Sequence, residues 1–132
     1  MANAFQVSID IDAPPEAVWG VIGAPDGVIR WYPQYVGCVT EGDIRTLTRA
    51  DGGIVTERLL ERDEARRYYS YSVTSGVPLK SHRASFEVAA RGDGCTVLWN
   101  TEGEPLEEGA DLEARLAARQ RDALEGLRAL FT

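Results

Sequence analysis

The sequence contains one histidine and two cysteines in 132 residues, and these scarcities exclude several kinds of chemistry. Cys38 and Cys95 stand alone, with no CxxC spacing and no neighbouring histidine. No zinc site is therefore expected, and both thiols are expected to be free and buried. There is no HExxH pair, no glycine-rich phosphate loop and no nucleophile–base pair, which argues against zinc, nucleotide and acyl-enzyme chemistry. No stretch approaches the ~20 apolar residues needed to cross a bilayer. The N-terminus lacks a basic region followed by an apolar run, so a soluble, cytoplasmic protein is expected. Clusters of positive charge are missing too: Arg58, Arg62, Arg66 and Arg67 are interleaved with Glu57, Glu61, Asp63 and Glu64. The formal charge of −7 is the reverse of a nucleic-acid footprint. No metal and no cofactor are implied.

What is present is a globular composition, 44% hydrophobic and 27% charged, at a length that predicts one domain spanning residues 1–132. Phe5, Val7, Ile9 and Ile11 alternate with polar residues, which predicts a strand with one buried face. Asp12-Ala13-Pro14-Pro15-Glu16 then opens a short helix, with Asp12 as a cap candidate and prolines early, and Gly23 and Pro25 close it. A second short helix runs through Val28, Ile29 and Trp31. From Val36 to Glu102, turn signals recur between runs rich in Val, Thr, Tyr and Phe, predicting five or six further antiparallel strands. From Asp111 to Phe131 the chain is rich in Ala, Leu, Glu and Arg. Leu112, Leu116, Ala123, Leu127 and Leu130 fall there on one helical stripe. The expected class is α+β: a curved antiparallel sheet of six to seven strands around a long C-terminal helix, with two short helices after the first strand.

Five stretches carry a resemblance to a known family. They are Ile11-Asp12-Ala13-Pro14-Pro15-Glu16-Ala17-Val18-Trp19, Arg30-Trp31-Tyr32-Pro33, Ile44-Arg45-Thr46-Leu47-Thr48, Gly52-Gly53-Ile54-Val55-Thr56-Glu57-Arg58-Leu59 and Tyr69-Ser70-Tyr71-Ser72-Val73. In this order they resemble the SRPBCC group of the START-like superfamily, and within it the bacterial members of polyketide cyclase/dehydrase type. The Thr-Glu-Arg-Leu and Tyr-Ser-Tyr-Ser stretches are also similar to plant abscisic-acid receptors. The resemblance implies a helix-grip fold with an internal ligand cavity, its mouth near the loops Ala50–Gly53 and Ser75–Leu79. It also implies a pocket glutamate at the position of Glu57, whereas the receptors place tyrosine where this chain has His82.

Strand alternation gives an independent list of inward residues. His82, Ala84, Phe86 and Val88 share one face, as do Tyr69, Tyr71 and Val73; the last strand offers Val97, Trp99 and Thr101. For residues 54–60 two registers are open. The one with Val55, Glu57 and Leu59 inside is preferred, because a carboxyl group can be buried neutral whereas the Arg58 guanidinium cannot lose its charge. Short hairpins would set Glu57 opposite Tyr71, and Tyr71 beside Ala84. On the helix, Leu116, Gln120, Ala123 and Leu127 face the same space. These residues form the expected site for a small hydrophobic ligand. Glu57, Tyr71 and His82 are the candidates for acid/base chemistry, should the ligand be transformed. Trp19 and Trp31 are read as packing residues. Two functions stay open, a module that binds a hydrophobic metabolite and a cyclase-, dehydratase- or isomerase-type enzyme. A monomer or homodimer is expected.

Overall fold

The computed structural model describes residues 3–132. The first strand, β1, spans Asn3–Ile11 and buries Val7, Ile9 and Ile11. Helix α1 follows at Pro15–Ile22, and Pro14 rather than Asp12 occupies its cap position, with no side-chain cap bond. Pro15, lacking an N–H, leaves one fewer donor to satisfy there. The second predicted helix is a 3-10 stretch, Pro25–Arg30, which closes at Trp31.

Six strands come next: β2 (Tyr35–Glu41), β3 (Ile44–Arg49), β4 (Ile54–Asp63), β5 (Tyr68–Ser75), β6 (Leu79–Arg91) and β7 (Gly94–Pro105). They form one seven-stranded antiparallel sheet in the order β1-β7-β6-β5-β4-β3-β2. Every neighbour except β1 is joined by a short turn, so the meander expected from the turn signals is present. Helix α2 covers Leu112–Ala129, and its cap residue Asp111 accepts a hydrogen bond from the Ala114 amide. It packs chiefly against β1. This is the helix-grip architecture, with the core between the concave sheet face and α2.

The helix stripe differs from its sequence reading at the C-terminal end. Leu112, Ala117, Gln120, Ala123, Leu124 and Leu127 are buried, whereas Leu130 is exposed, because the helix stops at Ala129. Close approach is set by Gly126: a Cβ there would stand 2.7 Å from the Trp31 carbonyl oxygen. Trp31 in turn meets Phe86 and Trp99 edge-on, with centroids 5.6 and 6.0 Å away. These ring contacts fill the middle of the grip.

The β4–β5 register also departs from expectation. Glu57 pairs with Val73, and Leu59 with Tyr71. The strands run on to Asp63 and Tyr68, which moves the turn to residues 64–67, and a bulge between Leu59 and Arg62 adds an unpaired residue. Ser70, on the convex side but fully buried, accepts the Glu61 amide hydrogen at that bulge. The expected pairing of Tyr71 with Ala84 is present. Of the two thiols, Cys95 is buried but Cys38 is only half-buried, since β2 is an edge strand.

Candidate functional site

Between the sheet and α2 lies an internal cavity of about 60 Å³. Eight of the residues singled out from the sequence line it: Glu57, Tyr71, Val73, His82, Phe86, Trp99, Leu116 and Gln120. Six others do not. Val55, Ala84, Ala123 and Leu127 point inward but are packed into the core, with at most 2% of their surface exposed. Leu59 and Tyr69 border a separate apolar pocket of about 70 Å³ beneath Gly23 and Pro25. The bulge between Leu59 and Arg62 interrupts the β4–β5 pairing beside both residues.

The deepest polar feature is one that sequence reasoning missed. Arg45 lies directly across from Glu57 in the β3–β4 register and is 2% exposed. Its Nε and Nη2 both donate to Glu57 Oε1, at 2.9 and 2.5 Å, and Nη1 donates to Tyr69 Oη and the Pro25 carbonyl. Glu57 Oε2 receives no protein donor among the described residues. Burial pushes the Glu57 carboxyl above its ordinary value, and Arg45 opposes that. Burial works against the Arg45 charge, but Tyr69 and Glu57 raise its pKa overall. With a guanidinium that keeps its proton and two bonds on one oxygen, the pair is ionised. The signal was available: a hairpin closing at Asp51-Gly52 sets Arg45 opposite Glu57 on the face of Leu47.

Next along the wall, Tyr71 and Trp99 are joined by a bond from Trp99 Nε1 to Tyr71 Oη at 3.0 Å. Burial holds the Tyr71 hydroxyl well above the usual phenol range, and it raises Tyr32 to about 12. These phenols stay protonated near neutrality. His82 sits where β6 peels away from β5, beyond the last pair Tyr71–Ala84. Its Nδ1 accepts the Val73 amide hydrogen at 3.0 Å, which places the ring proton on Nε2. Burial lowers its pKa to about 4. Glu57, Tyr71 and His82 thus line one cavity, but two of the three are fixed as neutral hydrogen-bonding groups at pH 7.

Toward the mouth the wall is built by Trp31, Tyr32, Tyr35 and Arg49, with Val77, Leu79, Leu116 and Arg119 around the opening. Trp31, read from sequence as packing, is cavity wall as well. Arg49 Nη1 donates to the Gly76 carbonyl and so ties the end of β3 to the β5–β6 loop. Gly76 itself has a φ of +93°, and a Cβ would collide with the Ile54 carbonyl, so no other residue fits there without moving β4. Outside the opening is a groove of about 210 Å³ that shares Val77, Leu79, Leu116 and Arg119 with the inner cavity. Among the described residues, three buried side-chain atoms have no hydrogen-bond partner, Trp31 Nε1, Arg49 Nε (which has only the ion-pair contact with Asp51 at 3.5 Å) and Gln120 Oε1, and all three belong to residues of this cavity.

Sheet, gripping helix and aromatic cavity define a hydrophobic-ligand-binding fold. The chain belongs to the family of polyketide cyclase / dehydrase and lipid transport proteins, which it matches over residues 3–132. No curated protein matches it in sequence. Among solved structures it is similar to an uncharacterized protein from Bacillus thuringiensis, at 25% identity and a TM-score of 0.88 over 97% of this chain and 98% of that one. It is also similar to the protein XoxI from Bacillus cereus, at 27% identity and TM-score 0.86 over 98% and 95% of the two chains. Ginseng major latex-like protein 151 from Panax ginseng shares the fold, with TM-score 0.83 at 19% identity over 98% and 97%. Among the described residues, no helix is long and apolar enough to cross a membrane.

Proposed function

We infer that this protein binds a small, largely hydrophobic molecule between the sheet and α2. The observation that carries the reading is that the three buried polar atoms without a hydrogen bond among the described residues, Trp31 Nε1, Arg49 Nε and Gln120 Oε1, all belong to residues lining one aromatic-walled cavity. Each lost hydrogen bond of this kind costs about 1–3 kcal/mol. Three in one place is the pattern of groups kept for a guest, since polar atoms scattered through a filled core would be satisfied by their neighbours.

The inner cavity of about 60 Å³ is smaller than the roughly 300 Å³ at the low end of small-molecule sites. The outer groove of about 210 Å³ shares Val77, Leu79, Leu116 and Arg119 with it as common wall. A ligand occupies both once these side chains swing aside, which needs rotamer changes and no rearrangement of the sheet. N-phenyl-1-naphthylamine, a neutral apolar fluorophore, tests this. It should bind with one-to-one stoichiometry and rise in emission, and Val73→Trp, which fills the inner cavity, should abolish the signal. No binding, or binding indifferent to Val73→Trp, would sink the reading.

A second reading is proton transfer on the bound molecule, of cyclase or dehydratase type. One observation favours it: Glu57 Oε2 is free of protein donors, and burial raises the Glu57 pKa, which suits a general base. Tyr71 and His82 serve that reading as donors alone, through the Tyr71 hydroxyl and His82 Nε2. Glu57→Gln separates the two: an enzyme loses turnover with ligand affinity retained, whereas a binding protein shows no turnover to lose.

A further inference from the structure

We propose that the ligand is an organic acid, an apolar ring-bearing body with one carboxylate, whose acid end lies at the cavity mouth between Arg49 and Arg119. This rests on the binding function proposed above and adds the chemical class of the guest. It follows from how the chain distributes its charge. Acidic residues outnumber basic ones by 21 to 14, and arginines here are generally taken up by them. Ion pairs occupy Arg58, Arg62, Arg66, Arg67, Arg83, Arg91, Arg115 and Arg128 on the surface. Arg30, Arg119 and Arg121 make no ion pair and no side-chain hydrogen bond among the described residues, and of these three Arg119 alone lines the cavity. It stands at the cavity mouth, where its charge is felt by the Tyr32 hydroxyl.

Arg49 is the second cation of the mouth. Its nearest carboxylate, Asp51, is exposed and lies 3.5 Å from Nε, and that Nε–H remains without a hydrogen-bond partner. Deeper in, Arg45 is neutralised by Glu57, so the titratable groups around the cavity leave an excess of positive charge in a chain of net −7. The other open groups point the same way. Trp31 Nε1–H and His82 Nε2–H are donors, as is the Arg49 Nε–H. Against them stand Glu57 Oε2 and one end of the Gln120 amide, whose Nε2 is used by Thr101. A site rich in donors and cations selects a guest with acceptor oxygens and negative charge. The protein's own field repels anions elsewhere on its surface, so the selection is local to the mouth.

The test uses a matched pair of probes, 2-naphthoate and 2-naphthamide, titrated calorimetrically into the intact protein at pH 7.5. They share ring and shape and differ in charge. The naphthoate should bind about tenfold more tightly, the scale of one charge-assisted hydrogen bond. Arg119→Gln should remove most of that preference, lowering naphthoate affinity several-fold more than naphthamide affinity. Arg119 is exposed and unpartnered, so this variant keeps the fold, and added salt should weaken naphthoate alone. Equal affinity of the two probes, or an Arg119→Gln effect of the same size on both, overturns the acid assignment and leaves the binding function standing. Binding of neither probe overturns both.

Discussion

His82 Nδ1 takes the Val73 amide hydrogen at 3.0 Å, at the point where β5 and β6 cease to pair. An imidazole side chain here does the work of a missing backbone carbonyl, and it can do so only while Nδ1 carries no proton. Stability is therefore tied to the protonation state of a single residue.

That tie gives the first prediction. Burial lowers the His82 pKa from 6.5 to about 4, so the unfolded chain binds the proton more readily than the folded one. The contribution is complete above about pH 6.5 and is lost as pH falls toward 4, amounting to roughly 2–3 kcal/mol. Asn at this position offers a side-chain oxygen to the same amide and does not titrate. In urea denaturation between pH 7.5 and 4.5, His82→Asn should lose less stability than the native protein. Since His82 is the only histidine, identical pH profiles would rule the mechanism out.

A second prediction concerns the Arg45–Glu57 pair, whose side chains are 3% and 6% exposed. Glu57→Leu leaves a buried guanidinium without its counter-charge and should cost about 3–5 kcal/mol. Adding Arg45→Met removes the orphaned charge. The double variant should recover at least half of the loss, with the remainder reflecting Tyr69 Oη and the Pro25 carbonyl, which Arg45 also serves. Denaturation midpoints for the single and double variants would decide it; a double variant less stable than Glu57→Leu would show that the guanidinium is held by those other partners.

The same pair marks the limit of what the residues disclosed in advance. Composition, alternation and turn chemistry were enough for the sheet, the terminal helix and the inward side of β5, β6 and β7, because burial on one face leaves a period-two record. Glu57 was placed inside by the cost of burying guanidinium, and that argument was sound for Arg58, which is exposed. Arg45 was given no inward place, and its charge is buried with a partner. That Leu59 and Tyr69 border a neighbouring pocket was not legible either: the bulge beside them is a single-residue defect that periodicity does not record. The resemblance pointed to the loop Ser75–Leu79 at the cavity mouth, where Val77 and Leu79 stand, but not to Arg49 and Arg119, which join them there from distant segments.

A third prediction isolates the Tyr71 hydroxyl. Tyr71→Phe removes the acceptor for Trp99 Nε1 and leaves a buried N–H unpaired, costing about 1–2 kcal/mol. Both rings keep their apolar packing, so N-phenyl-1-naphthylamine should still bind within about twofold. A large loss of probe affinity with unchanged thermal stability would instead place the hydroxyl in contact with ligand.

The last prediction sets helix propensity against packing at two glycines. Replacing glycine by alanine within a helix ordinarily stabilises it by up to about 1 kcal/mol, through the lost freedom of the unfolded backbone. At Gly20 in α1 a Cβ would have nothing within 4 Å, so Gly20→Ala should raise the melting temperature. At Gly126 in α2 the new Cβ would stand 2.7 Å from the Trp31 carbonyl oxygen. That is a backbone atom, and it cannot turn away as a side chain could. Gly126→Ala must therefore lift α2 from the segment carrying Trp31, loosening the ring cluster of Trp31, Phe86 and Trp99, and packing should outweigh propensity. The expected outcome is opposite signs for the two substitutions in thermal melts. A stabilising Gly126→Ala would mean that the helix is not seated against Trp31, and that the cavity roof is looser than its packing indicates.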